Sequence, residues 1–212
     1  MLYYSEEVKY KAEEALIAAN FNGIALKLLT FKDHPLIGLR GKSPLGQVPL
    51  LETSKGCISG HAVTRYIARC RADTELYGRS FMDECEIEDW LEFSLQVEIP
   101  LMDWVYRHKC ASATKVAQDV KKALTVVEKH LSDSRHHFLT GHIITLADIV
   151  LVCCLKEGFV HVFEGFRKLF PKLCDWFERC CNVQHFRAVL GPVMCCESLK
   201  APSFEVAKVA SS

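Results

Sequence analysis

The sequence predicts an α/β layer over residues 1–72 followed by an all-helical domain over residues 81–199. Two observations predict this. Up to residue 72, strand-like apolar runs and helical periods follow one another in the order βαβ, loop, ββα, which indicates a mixed sheet rather than a simple parallel repeat. Beyond residue 80, every segment has a helical period. The stretch between them, DTELYGRS at residues 73–80, is typical of a linker.

The composition favours a globular protein and argues against two classes of partner. Half of the 212 residues are hydrophobic, and Lys+Arg and Asp+Glu both total 26, so the formal net charge is zero. A neutral chain lacks the basic surface expected of a protein that binds nucleic acid directly or an anionic membrane. The run IVLVCCL, residues 149–155, is far shorter than the ~20 residues of a membrane span, and the charged start MLYYSEEVKY is unlike a signal peptide. We therefore expect a cytoplasmic protein without a membrane span.

The eleven cysteines contain no CxxC pair, only adjacent pairs such as Cys180-Cys181. Neighbouring helical residues point in different directions, which suits neither tetrahedral zinc nor an easy disulfide. Cys180 and Cys181 with His185 form one alternative metal cluster. We favour reduced, mostly buried thiols in a reducing cytosol, and no metal site.

The elements of the first unit follow from local signals. Ser5 is a good N-cap for a helix, Glu6 and Glu7 occupy its first turn, and Asn22-Gly23 closes it. Residues 30–46 contain prolines and glycines and read as a loop. The predicted strands are MLYY (1–4), IALKLL (24–29), and the hairpin arms QVPLLET (47–53) and CIS (57–59), followed by the helix HAVTRYIARCR (61–71).

The second unit is predicted as a set of helices. The first begins with an acidic cluster near residue 83, and Pro100 should kink or break it. TLADIVLVCCLKEG (145–158) is apolar all round and should lie inside the helical core. Further helices are predicted near residues 112–131, 170–182 and 183–190, and residues 200–212 read as a tail or the start of a linker. In the first of these, one face holds Val116, Val120, Ala123, Leu124, Val127 and Leu131.

Pro49 interrupts the strand-like run QVPLLET, where a proline cannot donate to a ladder. At the edge of such a layer, thioredoxin-like folds carry a cis proline, and we expect Val48–Pro49 to be cis. The N–H and C=O of Val48 would then face a cleft and pair with the backbone of a bound peptide. The alternative is a trans proline on a plain edge strand.

Two motifs resemble those of cytosolic glutathione transferases, and the resemblance extends over nearly the whole chain. SPLGQVPLLE (43–52) is similar to the family's NPxGxVPxLE stretch, and TLADIVL (145–151) to its buried-helix capping box, with Thr145 as N-cap and Asp148 at N3. The resemblance implies the glutathione transferase fold, a thioredoxin-like thiol-binding domain followed by an all-α domain. The capping box is a folding device and not a catalytic one.

The same resemblance implies a thiol cleft. A hydroxyl after the first strand stabilises the thiolate in this family, so Ser5 is the catalytic candidate and Tyr4 the reserve. Gln47, Val48, Pro49, Ser59 and Gly60 occupy the thiol-binding positions, with the Gly60 N–H and the Ser59 hydroxyl offered to a carboxylate. The alternative for Ser5 is a plain N-cap. The implied substrate is glutathione or a glutathione-containing thiol, and no other cofactor is expected.

Two departures from the family pattern count against catalysis. Glu6 and Glu7 place negative charge where a thiolate would need stabilisation. The family's Glu-Ser pair, which holds the γ-glutamyl end of glutathione, is Ser59-Gly60 here, so the acidic partner of the ammonium group is absent. We expect weakened binding of plain glutathione, or a preference for a glutathione conjugate.

The C-terminal segment FPKLCDWFERCCNVQHFRAVLGPVMCCE (170–197) and the segment ALIAANFNG (15–23) resemble the gamma subunits of translation elongation factor 1. This resemblance implies a scaffold that anchors the nucleotide-exchange subunit of the elongation factor 1 complex, forms a homodimer, and has at most weak thiol transferase activity. In that family a linker and a further domain follow, and this chain would stop inside the linker. The alternatives are a thiol S-transferase or peroxidase, and an appendage of an aminoacyl-tRNA synthetase complex.

Overall fold

The computed structural model of the chain describes residues 1–30, 42–43, 46–107 and 113–194. Most of the predicted loop over residues 30–46, the Cys195-Cys196 pair and the predicted tail over residues 200–212 lie outside the described residues. The glutathione transferase fold predicted from the sequence is confirmed, with a small mixed sheet followed by a helical domain.

The first unit is a four-stranded sheet in the spatial order β2-β1-β3-β4. Strand β1 pairs in parallel with β2 and antiparallel with β3, and β3 and β4 form the predicted hairpin. Two helices complete this unit. The elements are β1 (Leu2–Tyr4), α1 (Lys9–Phe21), β2 (Leu28–Thr30), β3 (Leu50–Thr53), β4 (Gly56–Ser59) and α2 (Ala62–Ala68).

Two boundaries differ from the sequence prediction. The first helix opens with a 3₁₀ turn, Glu6–Val8, before α1 begins. The second strand spans Leu28–Thr30, so the prediction of residues 24–29 places its start too early. Ile24 is still part of the helix end. Its N–H donates to the Ala19 carbonyl at 2.8 Å, and strand pairing with β1 starts only at Leu28.

The second unit consists of α3 (Phe81–Arg107), α4 (Ala113–Asp133), α5 (Leu146–His161), α6 (Phe166–Leu169), α7 (Pro171–Cys181) and α8 (Gln184–Leu190). Pro100 does not break α3, contrary to one of the predicted outcomes. Val97, Leu101 and Val105, spaced four apart across the proline, are all fully buried, so packing holds the helix on both sides of it. None of the described helices is long and apolar enough to cross a membrane.

Helix α5 lies in the middle of the core, as its uniformly apolar sequence predicts. Its residues from Leu146 to Leu155 are all buried, and α1, α3 and α7 pack around it. The predicted buried, reduced thiols are present among the described cysteines: Cys153, Cys154 and Cys180 are buried and unpaired. Burial raises the pKa of each of these three thiols, which keeps them protonated.

The capping box at the start of α5 is present as predicted, with Thr145 as N-cap and Asp148 at N3. The Asp148 carboxylate does more than cap. It accepts the Thr145 N–H at 3.0 Å, the Leu139 N–H at 3.0 Å and the Trp176 indole N–H at 2.9 Å. Burial raises its pKa, and these hydrogen bonds act in the opposite direction. One carboxylate therefore joins α5, the turn before it, and α7.

Replacement of Asp148 by Ala should lower the melting temperature by more than the loss of a cap alone, which costs ~0.5–2 kcal/mol. Two N–H groups from distant segments would also lose their partner in a buried site. Thermal denaturation followed by circular dichroism measures the effect. Unchanged stability with lost thiol binding would contradict this structural role.

Charged side chains cross the interface between α1 and the helical domain. Glu13 is almost fully buried and forms an ion pair with Lys156 of α5. Lys11 binds Glu98 of α3 at 2.6 Å, and the Tyr10 hydroxyl donates to the same carboxylate at 2.7 Å. The two units are therefore joined by specific pairs as well as by apolar packing.

Glu14 is 2% exposed and lines a small cavity with His61, Thr64, Arg65 and Ser94. Burial and the nearby Glu98 carboxylate raise its pKa well above the ordinary value, against the opposing effect of Lys11 and Arg65. The folded state then retains a proton that the unfolded chain releases near pH 4.5. Stability is therefore favoured at low pH and falls as the pH rises through the folded-state pKa of Glu14.

Glu14→Gln should raise the melting temperature at pH 8 and have little effect near pH 4, because the amide carries no charge to desolvate. A gain of 1 kcal/mol corresponds to about 2–4 °C in a chain of this size. The matched control is Glu13→Gln, which should lower the melting temperature because Lys156 loses its buried partner. Scans of both variants across this pH range test the assignment, and a destabilised Glu14→Gln at pH 8 would contradict it.

Candidate functional site

The predicted cleft begins at the end of β3, where the Val48–Pro49 bond is cis, as expected. The pairing of Tyr3 with Leu50 puts Tyr4 beside Pro49 one step further along the same ladder. The Pro49 carbonyl accepts the Gly60 N–H at 2.8 Å. Within the described residues, no hydrogen bond engages the backbone of Val48, which is what strand-type pairing with a ligand requires.

Gln47, Ser59 and Gly60 lie together at this point. Gly60 has a φ of +64°, a left-handed conformation that favours glycine, and the Gln47 side-chain oxygen lies 2.8 Å from where a Cβ would be. The Ser59 hydroxyl is within 2.7 Å of the Ser43 hydroxyl. The prediction that the Gly60 N–H is free for a ligand is wrong, because that group is already bonded to Pro49.

The hydroxyls of Ser5 and Tyr4, the two candidates for thiolate stabilisation, each form a hydrogen bond with a residue two positions further along the chain. The Ser5 hydroxyl accepts the Glu7 N–H at 3.3 Å, which is the capping geometry expected of a plain N-cap. The Tyr4 hydroxyl donates to the Glu6 carboxylate at 3.1 Å. Each candidate for thiolate stabilisation is thus next to an exposed carboxylate.

A groove of about 560 Å³ lies next to this cleft and was not found by sequence reasoning. It is lined by the first turn after β1, the start of α1 and the second half of α3, which is distant from them in sequence. The lining residues are Glu7, Val8, Tyr10, Glu98, Ile99, Pro100, Met102, Asp103 and Tyr106. The only local signal was the acidic residues on either side of Pro100. Glu98 and Asp103 lie near Glu7 because the two units pack against each other, and local sequence patterns do not report that packing.

The described lining of this groove contains three carboxylates and no basic side chain. Burial and the Glu157 carboxylate raise the pKa of Tyr106 to about 12, and burial together with Glu98 raises the pKa of Tyr10 well above its usual range. Both phenols therefore stay neutral. A negatively charged sulfur would find no basic side chain in this lining, although Lys11 pairs with Glu98 at 2.6 Å and offsets one of the three carboxylates.

The alternative metal cluster of Cys180, Cys181 and His185 does not form. Cys180 is fully buried, and the His185 ring packs on the Phe21 ring with centroids 4.2 Å apart. Across the described part of the chain, no group of three or more His, Cys, Asp or Glu side chains is placed to hold a metal ion.

The arrangement offers backbone and side-chain groups that suit a thiol-bearing peptide. The backbone of Val48 and the Gln47 and Ser59 side chains can bind an extended ligand. The Tyr4 hydroxyl already donates its proton to the Glu6 carboxylate, whereas the Ser5 hydroxyl accepts the Glu7 N–H and keeps its own proton.

Comparison with known structures is in accord with this fold. A glutathione S-transferase from Methylobacillus flagellatus with glutathione bound has a TM-score of 0.76 at 16% identity, over 89% of this chain and 97% of that one. Glutathione transferase F2 from Populus trichocarpa has a TM-score of 0.77 at 17% identity, over 89% of this chain and 96% of that one.

Curated relatives with higher sequence identity than these structures are named as elongation factor 1-gamma proteins. Elongation factor 1-gamma 2 of Oryza sativa is 33% identical over 89% of this chain and 48% of its own length. Elongation factor 1-gamma of Rattus norvegicus is 30% identical over 99% of this chain and 50% of its own length. The chain thus spans about half the length of the curated relatives it matches.

The family model for the glutathione S-transferase C-terminal domain matches residues 68–183, more than half of the chain and nearly all of the described helical domain. The chain therefore belongs to the glutathione S-transferase C-terminal domain family, with relatives among the elongation factor 1-gamma proteins.

Proposed function

We propose that this chain is a transferase-like scaffold of the translation elongation machinery in the cytoplasm, which anchors the nucleotide-exchange subunit of the elongation factor 1 complex. The observation that carries the proposal is the 30–35% identity to elongation factor 1-gamma proteins over most of the chain. The chemistry of the cleft supports the same conclusion, because the Glu6 carboxylate at the Tyr4 hydroxyl and the carboxylates that line the groove would oppose a thiolate.

A homodimer is part of this proposal. Phe81 and Met82, at the start of α3, are 82% and 67% exposed, and Tyr66 on α2 is also exposed. The two helices are held side by side by ion pairs between Arg69 and Glu84 and between Arg65 and Glu88. An exposed apolar patch on a rigid pair of helices suits association with a second copy.

The direct test is calorimetric titration of the chain with the nucleotide-exchange subunit, with light scattering on the same samples to report the mass of the chain alone. We expect saturable binding by a dimer. Gln47→Ala is the control, since it alters only the thiol cleft and should leave this binding unchanged. Failure of the exchange subunit to bind at tens of micromolar would contradict the proposal.

A second candidate function is thiol transfer with glutathione or a glutathione conjugate. It is favoured by one observation, the unengaged backbone of Val48 beside Gln47 and Ser59. In this candidate the cleft binds a thiol, and the scaffold has a weak activity of its own.

Ser5→Ala separates the two functions. If Ser5 is an N-cap, its loss should cost ~0.5–2 kcal/mol of stability and leave residual conjugating turnover nearly unchanged, which is what we expect. Tyr4→Phe should behave similarly in a turnover assay. Replacement of Glu6 and Glu7 by Gln should raise turnover, because two charges that oppose the thiolate are removed.

A large loss of turnover in Ser5→Ala would instead favour the enzyme function over the scaffold function. Removal of a donor that stabilises the reacting thiolate typically lowers the rate by ~10²–10³. Robust wild-type turnover that falls by this factor in Ser5→Ala would show that the hydroxyl acts on the substrate and not only on the Glu7 N–H.

A further inference from the structure

Three histidines lie together on the turn that precedes α5. Phe138 and Gly141 form an antiparallel bridge, with the Phe138 N–H donating to the Gly141 carbonyl at 2.9 Å. This bridge makes His137 and His142 cross-strand neighbours, because the next residues outward on the two arms face each other. Their ring centroids are 5.3 Å apart, and those of His136 and His142 are 5.6 Å apart. All three side chains are exposed.

The backbone of this turn is held from three directions. The Leu139 N–H donates to the buried Asp148 carboxylate at 3.0 Å, and the Leu139 carbonyl accepts from the His130 ring at 2.7 Å. The His137 carbonyl accepts from the Arg179 guanidinium at 2.5 Å. Helices α4, α5 and α7 thus hold the backbone of the turn that carries the histidines. A backbone held in this way reduces the entropy cost of ordering the side chains around an ion.

We propose that His137 and His142 form a binding site for a divalent transition metal ion of the kind that prefers imidazole nitrogen, such as Ni²⁺, Cu²⁺ or Zn²⁺. Two imidazoles on one ion, at metal–nitrogen distances of ~2.1 Å and a near-tetrahedral angle, have ring centroids about 5 Å apart. The observed separation of His137 and His142 is close to that value. Since no three His, Cys, Asp or Glu side chains among the described residues are placed to share an ion, the pair of His137 and His142 holds it and water completes the coordination.

The charges around the turn define which ions can bind. Arg179 contacts the backbone of the site and Arg135 directly precedes the histidines, while Arg79 and Asp83 line a pocket with His142, so the charged groups around the turn have no net negative charge. Ions that depend on carboxylate oxygen, such as Ca²⁺ and Mg²⁺, gain nothing from the three histidines. The site is therefore selective for ions that bind neutral imidazole, and binding weakens at low pH because a protonated ring cannot coordinate.

The site is tested with Ni²⁺ alone, titrated calorimetrically into the full chain at pH 7.5. Cys70 and Cys85 are replaced by Ser in every sample, because both are exposed and thiols also bind this metal. We expect one site, with affinity reduced at least tenfold in His142→Ala and in His137→Gln. His161→Gln is the matched control, since it also removes one imidazole but lies at the end of α5, and it should bind as the parent does.

Two further readouts distinguish the hairpin site from binding elsewhere. Ni²⁺ should raise the melting temperature of the parent and the control but not of His142→Ala, because the ion links the two arms of the folded turn. In NMR spectra, the ring signals of His137 and His142 should broaden before those of other histidines. Equal Ni²⁺ affinity in all variants, binding that does not weaken at pH 5.5, or no binding at millimolar Ni²⁺ would each overturn the proposal. If His142→Ala does not fold, His137→Gln decides.

Discussion

The buried carboxylate of Asp148 is the interaction on which most of the helical domain depends. It binds the N–H groups of Thr145, Leu139 and Trp176, so that the start of α5, the preceding turn and α7 share one anion. Because α5 is buried all round, its position determines where α1 and α3 can pack. The Leu146 N–H also donates to the Leu76 carbonyl at 2.7 Å, which fixes the segment connecting the two units to the same helix end. The turn that holds the three histidines is bound to the same carboxylate through the Leu139 N–H.

The cleft combines a backbone arrangement that suits an extended ligand with nearby carboxylates, which would oppose a thiolate. The cis Val48–Pro49 segment, Gln47 and the Gly60 turn are together in the geometry that an extended ligand would need. Glu7, Glu98 and Asp103 line the adjoining groove, and Lys11 offsets the charge of Glu98 at 2.6 Å. The carboxylates near the cleft are the physical reason why we propose a scaffold rather than an enzyme.

Much of this could be predicted from local patterns. A proline inside a strand-like run indicated the cis bond, and Thr-x-x-Asp before an apolar run indicated the capping box, because each pattern reports short-range geometry. The acidic groove could not be predicted, since it depends on the packing of α3 against the turn after β1. The engagement of the Gly60 N–H by Pro49 and the continuity of α3 through Pro100 likewise depend on tertiary contacts that no local pattern reveals.

The central claim is that the cleft does not activate a thiol, and the ionisation of a bound thiol tests it most directly. Ultraviolet absorbance of the thiolate can be followed during a pH titration of the chain saturated with glutathione or a larger glutathione conjugate that retains its thiol. The account predicts that the bound thiol titrates at or above the pKa of a free cysteine thiol, ~8.5, because Glu6 and Glu7 oppose the anion. A bound thiol that is largely ionised at pH 7 would contradict the account.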